Sequence, residues 1–418
     1  MKTFALNLLV GLARAILRKY RPRVIGVTGS TGKTTAKEAI WLVLQGSFRT
    51  AKSQSNANTE WGITATVIDP AIKFTTTTDG RAKITFGHYC RLVIEGIRKL
   101  VGTATYPEFL VLELAADRPG DIKFFNRFLK YDVVVITGIG QVHLEYYRDQ
   151  DQLTAEKLAL VDGLKPSGLV VVNGDNPLIR PFIQSTPLRK VAFGWEDYDD
   201  YIARMVGVTE TGIEVALRGP RGEQIIQFPF GRQLVWAALI ALAVGEEFGL
   251  SPVIVGDRLS QMQSPRGRFE IWQLRRGITI ISDAYNANPD SMKMALTSLQ
   301  DIASVSGGQS PAKPQRRRVA VLGGMRELGS AHDSAHREVG RFLRDKVDLL
   351  IAVGKDGALM AESAQTAGFT QAKIILVPDI GQVDFSKFLQ DNDAVLVKAS
   401  RSFGLDRVAQ LIKQRIGQ

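Results

Sequence analysis

A single cysteine, Cys90, in 418 residues leaves no disulfide framework and no cysteine metal cluster to consider. A reducing compartment suits that usage, and a cytoplasmic location is the expectation. The apolar stretch at the start, "FALNLLVGLARAIL" (residues 4 to 17), has only 14 residues, against the ~20 that cross a bilayer. No small-residue cleavage site follows before the strand expected at Val24, so a secretory leader is not the expected reading. With Arg14, Arg18 and Lys19 the stretch reads as an amphipathic helix. Such a helix either packs on its own domain or lies weakly on a membrane surface.

Acid is in short supply. Asp and Glu number 42 against 53 Lys and Arg, a net charge of +11. A basic solvated surface accounts for that, as would a polyanionic substrate or a membrane surface. No basic stripe is interleaved with aromatics, so nucleic acid is not an expected partner. There is no internal repeat, and a monomer is expected. What remains, 45% hydrophobic and 23% charged residues, is ordinary for a soluble chain of two or three domains.

From Val24 onward, strand-like runs alternate with helix-like ones. "VIGVTG", "FLVLELA", "DVVVITGIG" and "GLVVVNGD" are continuous apolar runs ending in glycine or a polar residue, as in strands covered on both faces of a parallel sheet. Patterns such as "TTAKEAIWLVLQ" lie between them. Residues 191 to 230 differ: "RMVGVTETGIEVALRGPRGEQIIQFPF" reads as short antiparallel strands turning at "ETG" and "GPRGE", followed by the apolar helix "LVWAALIALAVGEEFG". A second α/β segment begins near Gly267, with strands in "ITIISDAYNANP", "RRVAVLGGM", "VDLLIAVG", "AKIILVP" and "DAVLVKAS". Residues 304 to 318 read as a flexible basic loop. The organisation is α/β, with a linker-like helix over 1–21, a central P-loop domain over 22–266 and a C-terminal Rossmann-like domain over 267–418. Active residues belong at the carboxyl ends of strands.

"RVIGVTGSTGKTTAKEAI" (residues 23 to 40) is a strand, a glycine turn and a helix opening with lysine and two threonines. Backbone N–H groups of Gly29, Ser30, Thr31, Gly32, Lys33, Thr34 and Thr35 would form a nest for phosphate oxygens at a helix N-terminus. Lys33 would neutralise β- and γ-phosphate charge, and the Thr34 hydroxyl would bind Mg²⁺. The usual spacing puts a glycine six residues before the lysine; here that position is Val27, and the glycines fall at 26, 29 and 32. Glu113 sits within an apolar strand, where a carboxylate needs a partner or a metal. His143 follows another apolar run. Lys157 lies on an apolar helical stretch that would bury its stem, lower its pKa and leave an amine able to take up CO₂ as an anionic carbamate ligand. Each of these three also has a plain structural reading: a salt-bridged glutamate, a loop histidine, a lysine reaching solvent.

"GVTGSTGKTT", "SNANTEWG", "VLELAADRPGDI", "HLEYYRDQDQLTAEK", "NGDNP", "DAYNANPDSM", "GGMRELG" and "VKASRS" resemble, in the same order, the Mur ligase family. The resemblance covers roughly residues 22 to 415, and that family uses the shifted glycine spacing. It implies an ATP-dependent carboxylate–amine ligase that works through an acyl phosphate. "DAYNANPDSM" is similar to the branch that adds D-alanyl-D-alanine to a UDP-muramoyl-tripeptide in peptidoglycan biosynthesis.

The resemblance further implies two Mg²⁺ ions, one on Thr34 and Glu113, the other on His143 and an N6-carboxylated Lys157. Asn58 would lie near the γ-phosphate, Arg268 on the phosphate side and Asp283 at the ATP ribose. Asn286 and Asn288 would close over nucleotide and substrate. Lys398, Ser400 and Arg401 would face the incoming amine. Departures from the family pattern fall on recognition parts. Gln233, Leu234 and Ala237 replace a histidine and two asparagines near the adenine, and Gly324 replaces an aspartate. Only about 21 residues precede the ATPase strand, where the family has a UDP-sugar domain, so weak affinity for the UDP end is an expectation. A ligase for another acceptor (a lipid-linked or modified muropeptide, a polyglutamate), a P-loop kinase and a nucleotide-dependent binding module are the alternatives. A kinase needs no carbamate lysine, and a binding module needs neither Glu113 nor Lys157.

Overall fold

The computed structural model describes all residues except 1, 55–56, 77–81, 84, 198, 266, 305–315, 383 and 418. Most of the expected basic loop at 304–318, part of "SNANTEWG" and the boundary residue 266 therefore lie outside the described residues.

Two sheets form the frame. In the larger, nine strands run in the order Gly222–Phe228, Gly212–Gly219, Tyr201–Thr209, Lys190–Gly194, Leu164–Asn173, Tyr131–Ile136, Arg23–Thr28, Phe109–Glu113, Thr50–Lys52. Pairing is parallel from Thr50–Lys52 through Tyr201–Thr209 and antiparallel in the last two pairs. The antiparallel character expected for 191–230 thus holds from 201 to 228, while Lys190–Gly194 belongs to the parallel ladder. The parallel strands Phe109–Glu113 and Tyr131–Ile136 are buried at every position, because helices cover both faces.

The second sheet has the order Glu270–Gln273, Thr279–Asp283, Ala394–Lys398, Arg318–Leu322, Leu349–Val353, Ile374–Val377. All of its pairs are parallel except the first. That edge strand, "EIWQ", is too short and too polar to stand out in the sequence. The helix Arg232–Glu247, buried along almost its whole length, joins the two units. One apolar cluster runs from Ile25 and Val43 through Leu239 to Ile281 and Leu296.

The N-terminal helix, Lys2–Tyr20, buries Leu6, Leu9, Val10, Ala13 and Ile16. It packs on Glu60–Ile68 and Phe86–Val101. Its apolar face is therefore used within the chain. No helix among the described residues is long and apolar enough to cross a membrane.

Candidate active site

Three adjacent parallel strands deliver the chemistry of the central unit. Val27 pairs with Glu113 on one side and Thr28 with Ile136 on the other. The phosphate loop, Glu113 and the His143 loop therefore emerge side by side at the carboxyl ends of strands. The glycines of the loop have separate causes. Gly29 faces the neighbouring loop so closely that a Cβ would run into the Thr137 hydroxyl. Gly32 has φ 84° and opens the helix Lys33–Gln45, a left-handed conformation that favours glycine. Ser30 N–H donates to Gly138 O at 2.7 Å, and the Thr137 hydroxyl donates to Thr31 O at 2.5 Å. The turn is thereby fixed before any ligand arrives.

Lys33 Nζ donates to Gly29 O at 2.6 Å. Burial lowers its pKa, against the attraction of Glu113 and Asp117. The Thr34 hydroxyl donates to Glu113 Oε1 at 3.1 Å, and Asn58 Nδ2 reaches the same oxygen at 3.4 Å. Burial pushes the Glu113 carboxyl up, but Lys37, Lys33, Arg268 and the Thr34 hydroxyl together hold it below the ordinary value. Among the described residues its other oxygen, Oε2, has no hydrogen-bond partner and faces Lys37 Nζ, likewise without one, at 3.4 Å. Sequence reasoning missed Lys37. The signal was its place one turn after Lys33, on the same side of the helix.

Lys157 is 1% exposed, and its amine lies 3.4 Å from Ala116 O. Burial, reinforced by Lys33, lowers its pKa to about 7. The neutral amine that carbamate formation needs is therefore abundant near neutrality. His143 adopts φ 55°. Its Nε2 stands 3.2 Å from Asp117 Oδ1, and its Nδ1 contacts the Glu327 carboxylate of the second unit. Asp117 and Glu327 are further residues missed in the sequence. His143, Asp117, Glu327, Glu60 and Arg118 line a hollow of about 250 Å³.

The second unit contributes from its own strand ends. Asp283 and Lys398 are register partners. Lys398 Nζ donates to Asp283 Oδ2 at 2.6 Å and to Asn286 O at 3.0 Å. Asn288 Nδ2 donates across the interface to the Thr31 hydroxyl at 2.9 Å, and its Oδ1 accepts from Ser291 N at 2.8 Å. Ser400 Oγ accepts from Arg326 N at 3.0 Å. Arg268 and Arg401 both stack on Tyr285, at 4.7 and 5.5 Å from the ring centroid. Thr31, Gln233, Arg268, Asp283, Asn286 and Lys398 share one cleft of about 70 Å³. A far larger cavity, about 1070 Å³ between Phe230 and Trp272, contains none of these residues, so size alone does not mark the site. A side chain at Gly324 would strike Asp356 and Phe403, which fill the space an aspartate would occupy.

Two family models match the chain: the Mur ligase middle domain over residues 27–245 and the Mur ligase, glutamate ligase domain over 267–401. The chain belongs to the Mur ligase family. It is an ATP-dependent ligase of that type. Among its relatives is the UDP-N-acetylmuramoyl-tripeptide–D-alanyl-D-alanine ligase of Bacillus subtilis, 29% identical over 413 residues, with 97% of this chain and 79% of the relative covered. The enzyme of that name from Haemophilus influenzae is 26% identical, with 97% and 80% covered. The fold is that of the MurF ligase from Thermotoga maritima in complex with ADP, at a TM-score of 0.77 and 23% identity, with 98% of this chain and 84% of that one covered.

Proposed function

We propose that this Mur ligase joins D-alanyl-D-alanine to the terminal carboxylate of a UDP-muramoyl-tripeptide. The observation that carries the reading is the Asn288–Thr31 hydrogen bond, which lays the signature segment "DAYNANPDSM" directly on the phosphate loop. The names of the relatives point to the same substrates.

Lys33 and the amides of residues 29–35 would grip the β- and γ-phosphates. The residues fit Mg²⁺. Glu113 Oε1 and the Thr34 hydroxyl lie 3.1 Å apart at the head of the loop, a hard oxygen donor pair. Lys157, once carboxylated, would join His143 as a second pair. The ions, when bound, neutralise charge on the phosphates. The substrate carboxylate attacks the γ-phosphorus, releasing ADP and forming an acyl phosphate. The amine then adds to the acyl carbon, and the tetrahedral adduct collapses to amide and phosphate. Arg268 and Asp283 close on the nucleotide and exclude water from the acyl phosphate. Lys398, Ser400 and Arg401 face the amine.

A Mur ligase acting on another acceptor is the second reading. It is favoured by Gly324, whose neighbourhood is refilled by Asp356 and Phe403. The test measures phosphate release from ATP with UDP-muramoyl-tripeptide, adding D-alanyl-D-alanine or single amino acids in turn. Stimulation by the dipeptide alone is expected. No stimulation with UDP-muramoyl-tripeptide, but stimulation when a lipid-linked or UDP-free muropeptide replaces it, would replace the first reading with the second.

A further inference from the structure

The helix Phe86–Val101 is built to be amphipathic. Thr85 caps it reciprocally with His88. Leu92, Gly96 and Lys99 turn inward. On the other side Phe86, Ile94, Ile97 and Val101 are 82%, 66%, 51% and 85% exposed. At about 100° per residue these four fall within an arc of about 80°. Isolated exposed apolar residues need no explanation, but a stripe of them does.

The neighbouring N-terminal helix extends the stripe. Leu12 meets Gly96, and Lys19 Nζ donates to the carbonyls of Lys99 and Leu100. The two helices therefore run side by side in the same direction. That register sets Leu8 and Phe4, both exposed, alongside the first half of Phe86–Val101. At the other end the surface turns basic. Arg14, Arg18, Lys19, Arg21 and Arg98 are exposed. Residues 1 to 23 contain six Lys or Arg and no carboxylate. Arg98 pairs with Glu95, the one carboxylate of the helix.

Apolar side chains flanked by cations, on helices lying flat against the domain, match an anionic lipid surface in both chemistry and charge. We propose that this two-helix face docks on the headgroup region of an anionic bilayer, with Phe86, Ile94, Ile97 and Val101 inserting and the basic end meeting lipid phosphates. Residues 102–108 lead from the helix into the start of strand Phe109–Glu113, whereas Glu113 lies at its finish. The Val101 end of this face thus lies at the end of the sheet opposite Glu113 and the phosphate loop. The inference is independent of which acceptor the ligase uses.

The test is co-sedimentation of the full chain with vesicles of phosphatidylcholine alone or with 30 mol% phosphatidylglycerol. Binding to the anionic vesicles is expected, weakened at least tenfold by 0.5 M salt. Ile94→Asp/Val101→Asp should lose at least tenfold in binding, and Arg18→Glu/Arg21→Glu several-fold, with melting temperature and ATP turnover in solution unchanged. Ile94→Ser/Val101→Ser serves as a milder pair should the aspartates disturb folding. No binding of the wild type, or equal binding by the folded variants, would overturn the proposal. So would a wild-type dimer that the same substitutions convert to monomer, because a second copy would then be the occupant.

Discussion

The two halves of the cleft handle charge differently. In the central half, buried groups are left with unsatisfied atoms: among the described residues Lys37 Nζ and Glu113 Oε2 have no hydrogen-bond partner, and Lys157 Nζ lies a long 3.4 Å from a carbonyl. In the C-terminal half the groups are paired. Lys398 is held by Asp283 and Asn286, and Asn288 by Thr31 and Ser291. Buried polar atoms without hydrogen bonds are costly unless a ligand completes them, and under the proposed function ions and phosphate would do so in the central half. In the paired half, a nucleotide and an amine bound as proposed would have to displace contacts already made.

The sharpest way to break this contrast is at the phosphate loop. Lys33→Ala removes the ammonium that lies within the loop, and Lys37 faces Glu113 instead. Turnover should fall by at least about 10³-fold, at the upper end of losses seen when one charge-stabilising group is removed. ADP affinity, read by calorimetry, should fall with it. Near wild-type phosphate release would remove the loop from the mechanism.

Lys157→Ala should cost about 10²- to 10³-fold in turnover. Millimolar formate or acetate should restore part of it by standing in for the carbamate anion. The pH dependence follows from the pKa of about 7. At pH 8 most of the amine is neutral, while at pH 6 only about a tenth is. Uptake of labelled bicarbonate by the protein should therefore rise across pH 6 to 8. An uptake independent of pH, or a fully active Lys157→Ala, would return Lys157 to a structural role.

Lys37→Met tests the buried pair itself. Breaking such a pair costs about 3–5 kcal/mol, to be read as a lowered melting temperature without metal. The sign with pH is fixed by Glu113. Its folded carboxyl is held below the ordinary value, so its ionised form contributes stability above the unfolded pKa and loses it as pH falls through the folded value. Without Lys37 the carboxyl moves upward. The gap between variant and wild type should therefore be widest near pH 7 and narrow toward pH 4. Mg²⁺ should stabilise the variant more than the wild type. If Mg²⁺ stabilises both equally, Glu113 is not holding the ion.

Much of this was legible in the sequence because strand ends carry the chemistry. "VIGVTGSTGKTT" and "FLVLELA" announce buried parallel strands, and their final residues are the phosphate loop and Glu113. What stayed hidden depends on contacts distant in sequence. Glu327 lies 184 residues from His143, and no local pattern joins them. Lys37 looks like an ordinary solvated helix residue until the sheet places Glu113 against it. Which side of Phe86–Val101 faces outward likewise depends on a distant contact, the docking of the N-terminal helix.

The smallest expected effect separates preformed from ligand-induced closure. The Thr31 hydroxyl and the Asn288 amide exchange hydrogen bonds at 2.9 and 3.3 Å across the cleft. Thr31→Val keeps the shape and removes that pairing, while Asn288→Ala also releases Ser291 N–H at the start of helix Pro289–Ser304. A neutral hydrogen bond contributes about 0.5–1.5 kcal/mol, so Thr31→Val should lower kcat/KM for ATP by about 2- to 12-fold at 1.4 kcal/mol per decade. Asn288→Ala should lower it somewhat more, with the extra loss appearing in the melting temperature. The double variant should be little worse than Asn288→Ala, because both substitutions remove one shared interaction. Full additivity in kcat/KM would mean that the bond does no work in closure. The paired half of the cleft would then be rearranged entirely by the nucleotide.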